Sequence, residues 1–272
     1  MHRRRFLALT GFAAAGATSI QPGSADAVPA SRWAPDGAPA LGRVGVLTPE
    51  FDPVPESEIE AMAPEGLSIH GSRVRRNTTP GAFAEPPHVD EATAQLADLA
   101  PKAIAFAYTS SSYALGSDAD ASTRARLEAR AKGTPVVLTC PAATDALHAL
   151  GARRVALIHP PWFREEISDR GREYFRARGF DVVHCSRITP ARSFTEVRPE
   201  EVFEWVRRQT PRDAQAVFIG GNGLRAVGAI RALESSLGRP VLTANQVLFW
   251  AVLRTAEITA KLTEYGRIFA IR

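Results

Sequence analysis

Eight short apolar runs, separated by stretches with helical spacing, constrain this chain more than any single motif in it. They fall near residues 42–48 (Gly-Arg-Val-Gly-Val-Leu-Thr), 66–71, 102–108 (Lys-Ala-Ile-Ala-Phe-Ala-Tyr), 135–139, 153–159 (Arg-Arg-Val-Ala-Leu-Ile-His), 180–184, 214–219 and 239–243. Most are apolar without interruption, the pattern of parallel strands covered on both faces. Between them, segments such as 120–132, 142–150, 164–178, 198–209 and 223–237 read as helices. Strand–helix alternation of this kind predicts an α/β fold with parallel sheets.

The pattern also repeats. Val44-Gly-Val-Leu-Thr-Pro-Glu-Phe51 reads like Val155-Ala-Leu-Ile-His-Pro-Pro-Trp162, and Ala103-Ile-Ala-Phe-Ala-Tyr-Thr109 like Ala216-Val-Phe-Ile-Gly-Gly-Asn222, at nearly equal offsets. Two pseudo-symmetric four-stranded α/β lobes follow, a number that suits 272 residues at about 150 residues per domain. The first lobe is expected over 41–140 plus 246–272 and the second over 141–245. Open parallel sheets bind ligands beyond the carboxyl ends of their strands. Facing lobes therefore put the site in the cleft between them, walled by 49–52, 109–112, 140–142, 159–163 and 220–223.

The amino terminus reads as an address. Arg3-Arg4-Arg5-Phe6-Leu7, a mildly apolar Ala/Gly-rich stretch to Ile20, and Ala25-Asp26-Ala27 supply the three regions of a signal peptide. The twin arginine and Gly-diluted apolar region resemble the twin-arginine type, which predicts export and a periplasmic or extracellular protein. Residues 1–27 are then the signal and 28–40, with Pro29, Pro35 and Pro39, a flexible leader. The apolar run is too short and too interrupted for a stable membrane anchor. Two of the four net positive charges sit in that segment, and the rest are scattered, so nucleic acid is not an expected partner. Two cysteines exclude a disulfide scaffold and a four-cysteine zinc site.

Chemistry should stand at the strand ends. Tyr108-Thr109-Ser110-Ser111-Ser112-Tyr113 places hydroxyls there, and Gly220-Gly221-Asn222-Gly223 is read as opening a helix whose free N–H groups can hold a carboxylate. Each also has a plainer reading, as a helix cap and as a tight turn. The nucleotide-binding glycine fingerprints, the serine-hydrolase elbow and the His-Glu-x-x-His zinc motif are all missing. His70, His88 and His148 make no metal-ligand spacing, so no metal and no cofactor are expected.

Asp145-Ala-Leu-His-Ala-Leu-Gly-Ala-Arg-Arg-Val-Ala-Leu157 resembles the helix–strand junction of the maleate isomerase and arylmalonate decarboxylase branch of the aspartate/glutamate racemase superfamily. Asn245-Gln246, Phe249-Trp250-Ala251, Leu253-Arg254 and Tyr265-Gly266-Arg267-Ile268-Phe269 resemble the same branch, as do Thr48-Pro49, Ser72-Arg73-Val74 and Thr109-Ser110. The resemblance runs from about Leu41 to the carboxyl terminus. It implies two pseudo-symmetric lobes and cofactor-free chemistry, in which cysteine thiolates move a proton at, or add to, a small carboxylic acid. Backbone N–H groups and hydroxyls would hold the carboxylates and the developing charge.

The resemblance breaks where that chemistry should be. The family's first cysteine falls on Tyr108 and its second on Gly221; an asparagine after the first strand falls on Asp52, and a tyrosine falls near Phe163. Cys140, in Leu138-Thr139-Cys140-Pro141, can replace the thiols as base or nucleophile, or be a small buried cysteine. His159 can exchange protons beside the same cleft, or be structural. The expected roles are thus Cys140 and His159 for the proton, with Asp52, Thr109, Ser110, Gly221 and Asn222 for the substrate. Two functions are compatible with this pattern: an isomerase, racemase or decarboxylase of a small carboxylic acid, or a non-catalytic binding protein for a carboxylate or zwitterion. Either can be a homo-oligomer.

Overall fold

The computed structural model of the chain describes residues 37–77, 83–189 and 196–271. The expected signal segment and residues 28–36 of the expected leader lie outside these described residues. β1 (Gly42–Pro49) leads through α1 (Val54–Met62) to β2 (Leu67–Val74), α2 (His88–Ala97), β3 (Ala103–Phe106), α3 (Thr109–Leu115), α4 (Ala119–Arg130) and β4 (Val136–Leu138). The second half runs through α5 (Thr139–Ala149), β5 (Arg154–His159), α6 (Glu165–Ala177), β6 (Asp181–Arg187), α7 (Pro199–Gln209), β7 (Ala216–Ile219), α8 (Ile230–Leu237), β8 (Val241–Thr243) and α9 (Ala244–Thr255).

The strands form two four-stranded sheets, ordered β2-β1-β3-β4 and β6-β5-β7-β8. Every pairing is parallel. The sequence repeat is also a repeat of register: Val44 pairs with Ala103 in one sheet, and Val155 with Ala216 in the other. Both faces of the central strands are buried, as their unbroken apolar runs require. Val44, Val46, Ala103 and Ala105 point into a core that also holds Val155, Leu157, Ala216 and Phe218 of the second sheet. The intervening Leu47, Ile104 and Phe106 face the opposite way, under α2 and α4, and Ala156, Ile158 and Val217 face α7 and α8.

One core is therefore shared between the lobes. α9 follows the second sheet in sequence yet lies along α5 and against β3 and β4 of the first. The His148 ring of α5 meets Phe180 at the foot of the second sheet, 4.6 Å between centroids. On the flank, Tyr174 of α6 donates its hydroxyl to Asp120 of α4 at 2.6 Å, and Arg178 pairs with the same carboxylate at 3.3 Å. These contacts bring the carboxyl ends of both sheets to one cleft.

Two expected boundaries move. The helix predicted over 223–237 begins as a 3-10 turn at Val227–Ala229 and becomes α-helical only at Ile230. Gly221 explains the delay: its φ of +90° and the Leu224 N–H to Gly221 carbonyl bond close a tight turn instead. Conversely, α5 starts directly at Thr139, so Cys140 lies in its first turn rather than at a strand end.

The lobes meet closely where Gly171 of α6 faces Tyr113 of α3. A Cβ on Gly171 would sit 2.5 Å from Tyr113 Cε2 and 2.9 Å from its neighbours. Gly→Ala in a helix interior normally gains about 1 kcal/mol, whereas forcing a methyl into a filled core costs about 1–3 kcal/mol. Gly171→Ala should therefore destabilise the protein, read as a lower urea midpoint at unchanged slope.

Candidate functional site

A cavity of about 520 Å³ opens between the lobes at the strand ends. Its walls come from Pro49 to Asp52 after β1, Ala107 to Ser111 after β3, Trp162 to Ile167 after β5, and Gly221 to Gly223 after β7, with Arg76 and Phe83 beyond β2. Asp52, Thr109, Ser110, Gly221 and Asn222, scattered along the chain, all line it.

Several of these groups hold one another. Asn222 Oδ1 accepts from both the N–H and the hydroxyl of Thr109, at 2.9 and 2.7 Å, across the two lobes. The Gly221 N–H donates in turn to Thr109 Oγ1 at 3.2 Å. Asn222 Nδ2 donates to Asn245 Oδ1 at 2.9 Å and to Thr139 Oγ1 at 3.2 Å. Thr109 and Gly221, expected as direct ligand contacts, thus spend these donors on each other and on Asn222. Groups left without an internal hydrogen bond among the described residues include the Ser110 hydroxyl and the backbone N–H groups of Asn222 and Gly223.

Asp52 reaches across the cleft. Its Oδ1 accepts the Val54 N–H at 3.0 Å at the start of α1, and its backbone carbonyl accepts from Thr48 Oγ1 and Arg73. The other oxygen, Oδ2, approaches Gly223 so closely that a Cβ there would lie 2.6 Å away. Burial raises the carboxyl above its ordinary value, against the Val54 N–H and the Arg73 charge. Tyr108 lies beside it, 3% exposed, with its ring stacked on Phe83 at 5.0 Å and tilted against Phe106 at 4.4 Å. Its hydroxyl is buried and has no hydrogen-bond partner. Burial, and then the Asp52 charge, push this phenol well up, so it stays protonated.

Cys140 and His159 do not open onto this cavity; both are fully buried at 0% exposure. The Cys140 thiol donates to the Thr109 carbonyl at 3.5 Å, and burial pushes it well above the ordinary thiol value, the opposite of what a thiolate base requires. His159 sits behind Gly220, with Nε2 3.3 Å from the Tyr113 hydroxyl and Nδ1 3.8 Å from Cys185 Sγ. Burial, then the Arg172 and Arg187 charges, depress the imidazole to about 3, so it is neutral near pH 7. The proton roles expected of these two residues therefore lack both access and a matched pKa. Gly221 is equally closed to a thiol: with φ at +90°, its Cβ would meet Pro160 Cγ at 2.7 Å.

The sequence alone did not single out Arg76, Phe83, Arg164 or Glu58. Arg76 and Arg164 are exposed side chains at the rim. Glu58 lies behind the floor, where it accepts from Asn245 Nδ2 at 2.8 Å and from the Ala226 and Val227 N–H groups at 2.7 and 2.9 Å. These N–H groups open the 3-10 turn ahead of α8, a few residues beyond the Gly220–Gly223 amides expected to bind the ligand anion, and the protein's own carboxylate fills that position. Among the described residues, no group of three His, Cys, Asp or Glu side chains is placed to hold a metal ion.

The arylmalonate decarboxylase family model matches residues 52–269. The chain belongs to the arylmalonate decarboxylase family. It is 23% identical over 245 residues to a maleate isomerase of Geobacillus stearothermophilus, covering 84% of this chain and 97% of that protein. It is 27% identical over 144 residues to an arylmalonate decarboxylase of Bordetella bronchiseptica, covering 51% and 59% of the two chains. The crystal structure of the maleate isomerase Iso from Pseudomonas putida superposes with a TM-score of 0.77 at 21% identity, over 84% of this chain and 98% of that one. An arylmalonate decarboxylase structure gives 0.70 at 23% identity, over 84% and 99%. These family relatives are an isomerase and a carbon–carbon lyase, and the purely binding alternative finds no support among them.

Neutral, buried His159 has a pH consequence. Its folded value of about 3 lies below the ordinary 6.5, so the unfolded chain binds the proton first on acidification. Stability from this group is complete above about pH 6.5 and is lost as pH falls toward 3. The loss is about 3 kcal/mol at about pH 4.5, since each pH unit is worth about 1.4 kcal/mol. The raised carboxyls of Asp52 and Asp120 act with the opposite sign. Urea unfolding of His159→Gln should show a smaller loss of stability between pH 7 and about pH 4.5 than wild type; an equal loss refutes the assignment.

Proposed function

We propose that this family member is a cofactor-independent enzyme that isomerises, racemises or decarboxylates a small carboxylic acid in the inter-lobe cavity, with Asp52 and Tyr108 in place of the thiols. The carrying observation is the Tyr108 hydroxyl, buried without a partner on a residue that lines the cavity beside Asp52. A buried donor left unpaired costs about 1–3 kcal/mol, a cost that a substrate oxygen would remove.

The division of labour follows from the two environments. Asp52 has a free oxygen on the cavity side and a carboxyl raised above its ordinary value by burial, the direction that favours a general base taking a proton from the carbon next to the substrate carboxylate. Tyr108 remains protonated and donates to the oxygen on which the enolate-like charge develops. Return of the proton to the opposite face of that carbon completes a racemisation, and its return to the far carbon of a conjugated enolate completes a double-bond isomerisation. In a decarboxylation, carbon dioxide leaves with its bonding electrons retained on the carbon, which then takes a proton from Asp52 in its acid form. The N–H groups of Asn222 and Gly223 and the Ser110 hydroxyl hold the carboxylate. Arg76 and Arg164 at the rim favour anion entry, and Asp52 favours a substrate that also carries a cationic or donor group. The twin-arginine-like start, Arg3-Arg4-Arg5-Phe6-Leu7, supports an exported site of action.

The test is solvent-deuterium incorporation and turnover with phenylmalonate and phenylglycine, followed by proton NMR. Tyr108→Phe and Asp52→Asn should each lower the rate by at least about 100-fold, the usual share of a positioned acid or base. Cys140→Ala should stay within about threefold of wild type. Wild-type rates in folded Tyr108→Phe and Asp52→Asn would overturn the reading, as would inactivity of wild type on both acids.

A further inference from the structure

The cavity floor is a directional chain of hydrogen bonds, and its direction can be read from groups that have no choice. The Thr109 backbone N–H only donates, so the Asn222 amide must turn its oxygen toward it. The Asn222 backbone carbonyl only accepts, so Asn245 must turn its Nδ2 toward that carbonyl, where the distance is 2.8 Å. This leaves Asn245 Oδ1 facing Asn222 Nδ2, which is the bond observed. The same Asn245 Nδ2 then needs a second acceptor, and Glu58 Oε2 supplies it at 2.8 Å.

We propose that Glu58 is a positioning residue that sets the hydrogen-bond polarity of the cavity floor, acting through Asn245 and Asn222 on Thr109. The proposal rests on the cavity being the reactive site, although the chain itself exists without a ligand. A carboxylate at 58 is acceptor-only, and all three of its observed partners are N–H donors. Protonation changes this. Oε1 is occupied by the Ala226 and Val227 N–H groups, so the acid proton falls on Oε2 and points at the donor Nδ2 of Asn245. Turning Asn245 over to accept it would put two donors together at Asn222. Turning Asn222 in response would leave the Thr109 N–H facing an NH₂ group. An amide flip that relieves the mismatch at Asn245 therefore passes it on toward the cavity wall.

The neighbourhood makes this change accessible near neutrality. Burial pushes Glu58 up to about 7, against the three N–H groups and the Arg225 charge. Arg225 is the charge that acts on it from the second lobe. From β2, Arg73 is engaged with Glu56 instead; from α9, the facing group is the neutral Asn245. The Tyr265 hydroxyl meets α1 further along, at the Ala61 carbonyl.

The experiment is amide NMR of the ligand-free full chain against pH, with hydrogen exchange at Thr109. In wild type, the Thr109 N–H and the side-chain amides of Asn222 and Asn245 should titrate together with a single midpoint near 7. In Glu58→Gln, whose side chain presents NH₂ to Asn245, these signals should be fixed and displaced in the direction of the wild-type acid form. Exchange at Thr109 should be about tenfold faster, the effect of one lost hydrogen bond. If Glu58→Gln does not fold, Asn245→Ala serves in its place. It should abolish the titration at Thr109 while the Ala226 and Val227 amides still report it. Flat Thr109 and Asn222 signals in wild type would overturn the proposal, and so would an unaltered titration at Thr109 in either variant. Because no turnover is measured, failure here is distinct from failure of the catalytic reading.

Discussion

The shared core between the two sheets is the constraint on which everything else depends. Each sheet buries both faces, and the inner faces are covered in common, with α5 and α9 lying side by side between them. Neither lobe could keep that apolar surface from water alone. The geometry that satisfies it also points the carboxyl ends of both sheets at one cleft. The contact of Tyr113 with Gly171 and the bonds of Asp120 to Tyr174 and Arg178 hold the flanks of that arrangement.

Within the cleft, polar satisfaction decides which groups remain for a ligand. A buried donor or acceptor must be paired or bear a penalty, and most of this cavity's polar atoms meet the requirement internally. Thr109, Gly221, Asn222 and Asn245 bond to one another, and Glu58 occupies the N–H groups ahead of α8. Against that background the unpartnered Tyr108 hydroxyl and the half-committed Asp52 carboxyl stand out. They occupy the positions where the resemblance places a cysteine and an asparagine of the family. Cys140 and His159 belong instead to the packing behind the wall, where burial holds both in their neutral forms.

The unbroken apolar runs determined the α/β class by themselves, because a strand buried on both faces leaves no room for polar alternation. The internal repeat likewise determined the two lobes, and its offsets reappear as the matching Val44–Ala103 and Val155–Ala216 registers. Convergence of Asp52, Thr109, Ser110, Gly221 and Asn222 was legible too, since strand ends of a parallel sheet must lie on one side. What a local pattern could not decide is which way a strand-end side chain turns. Cys140 and Thr139 are adjacent in sequence, yet Thr139 bonds to the Asn222 network while Cys140 turns to the Thr109 carbonyl. Glu58 had no local signal, because its partners lie 168 to 187 residues away. Burial and hydrogen-bond direction are properties of the assembled lobes, and only the tertiary structure could assign them.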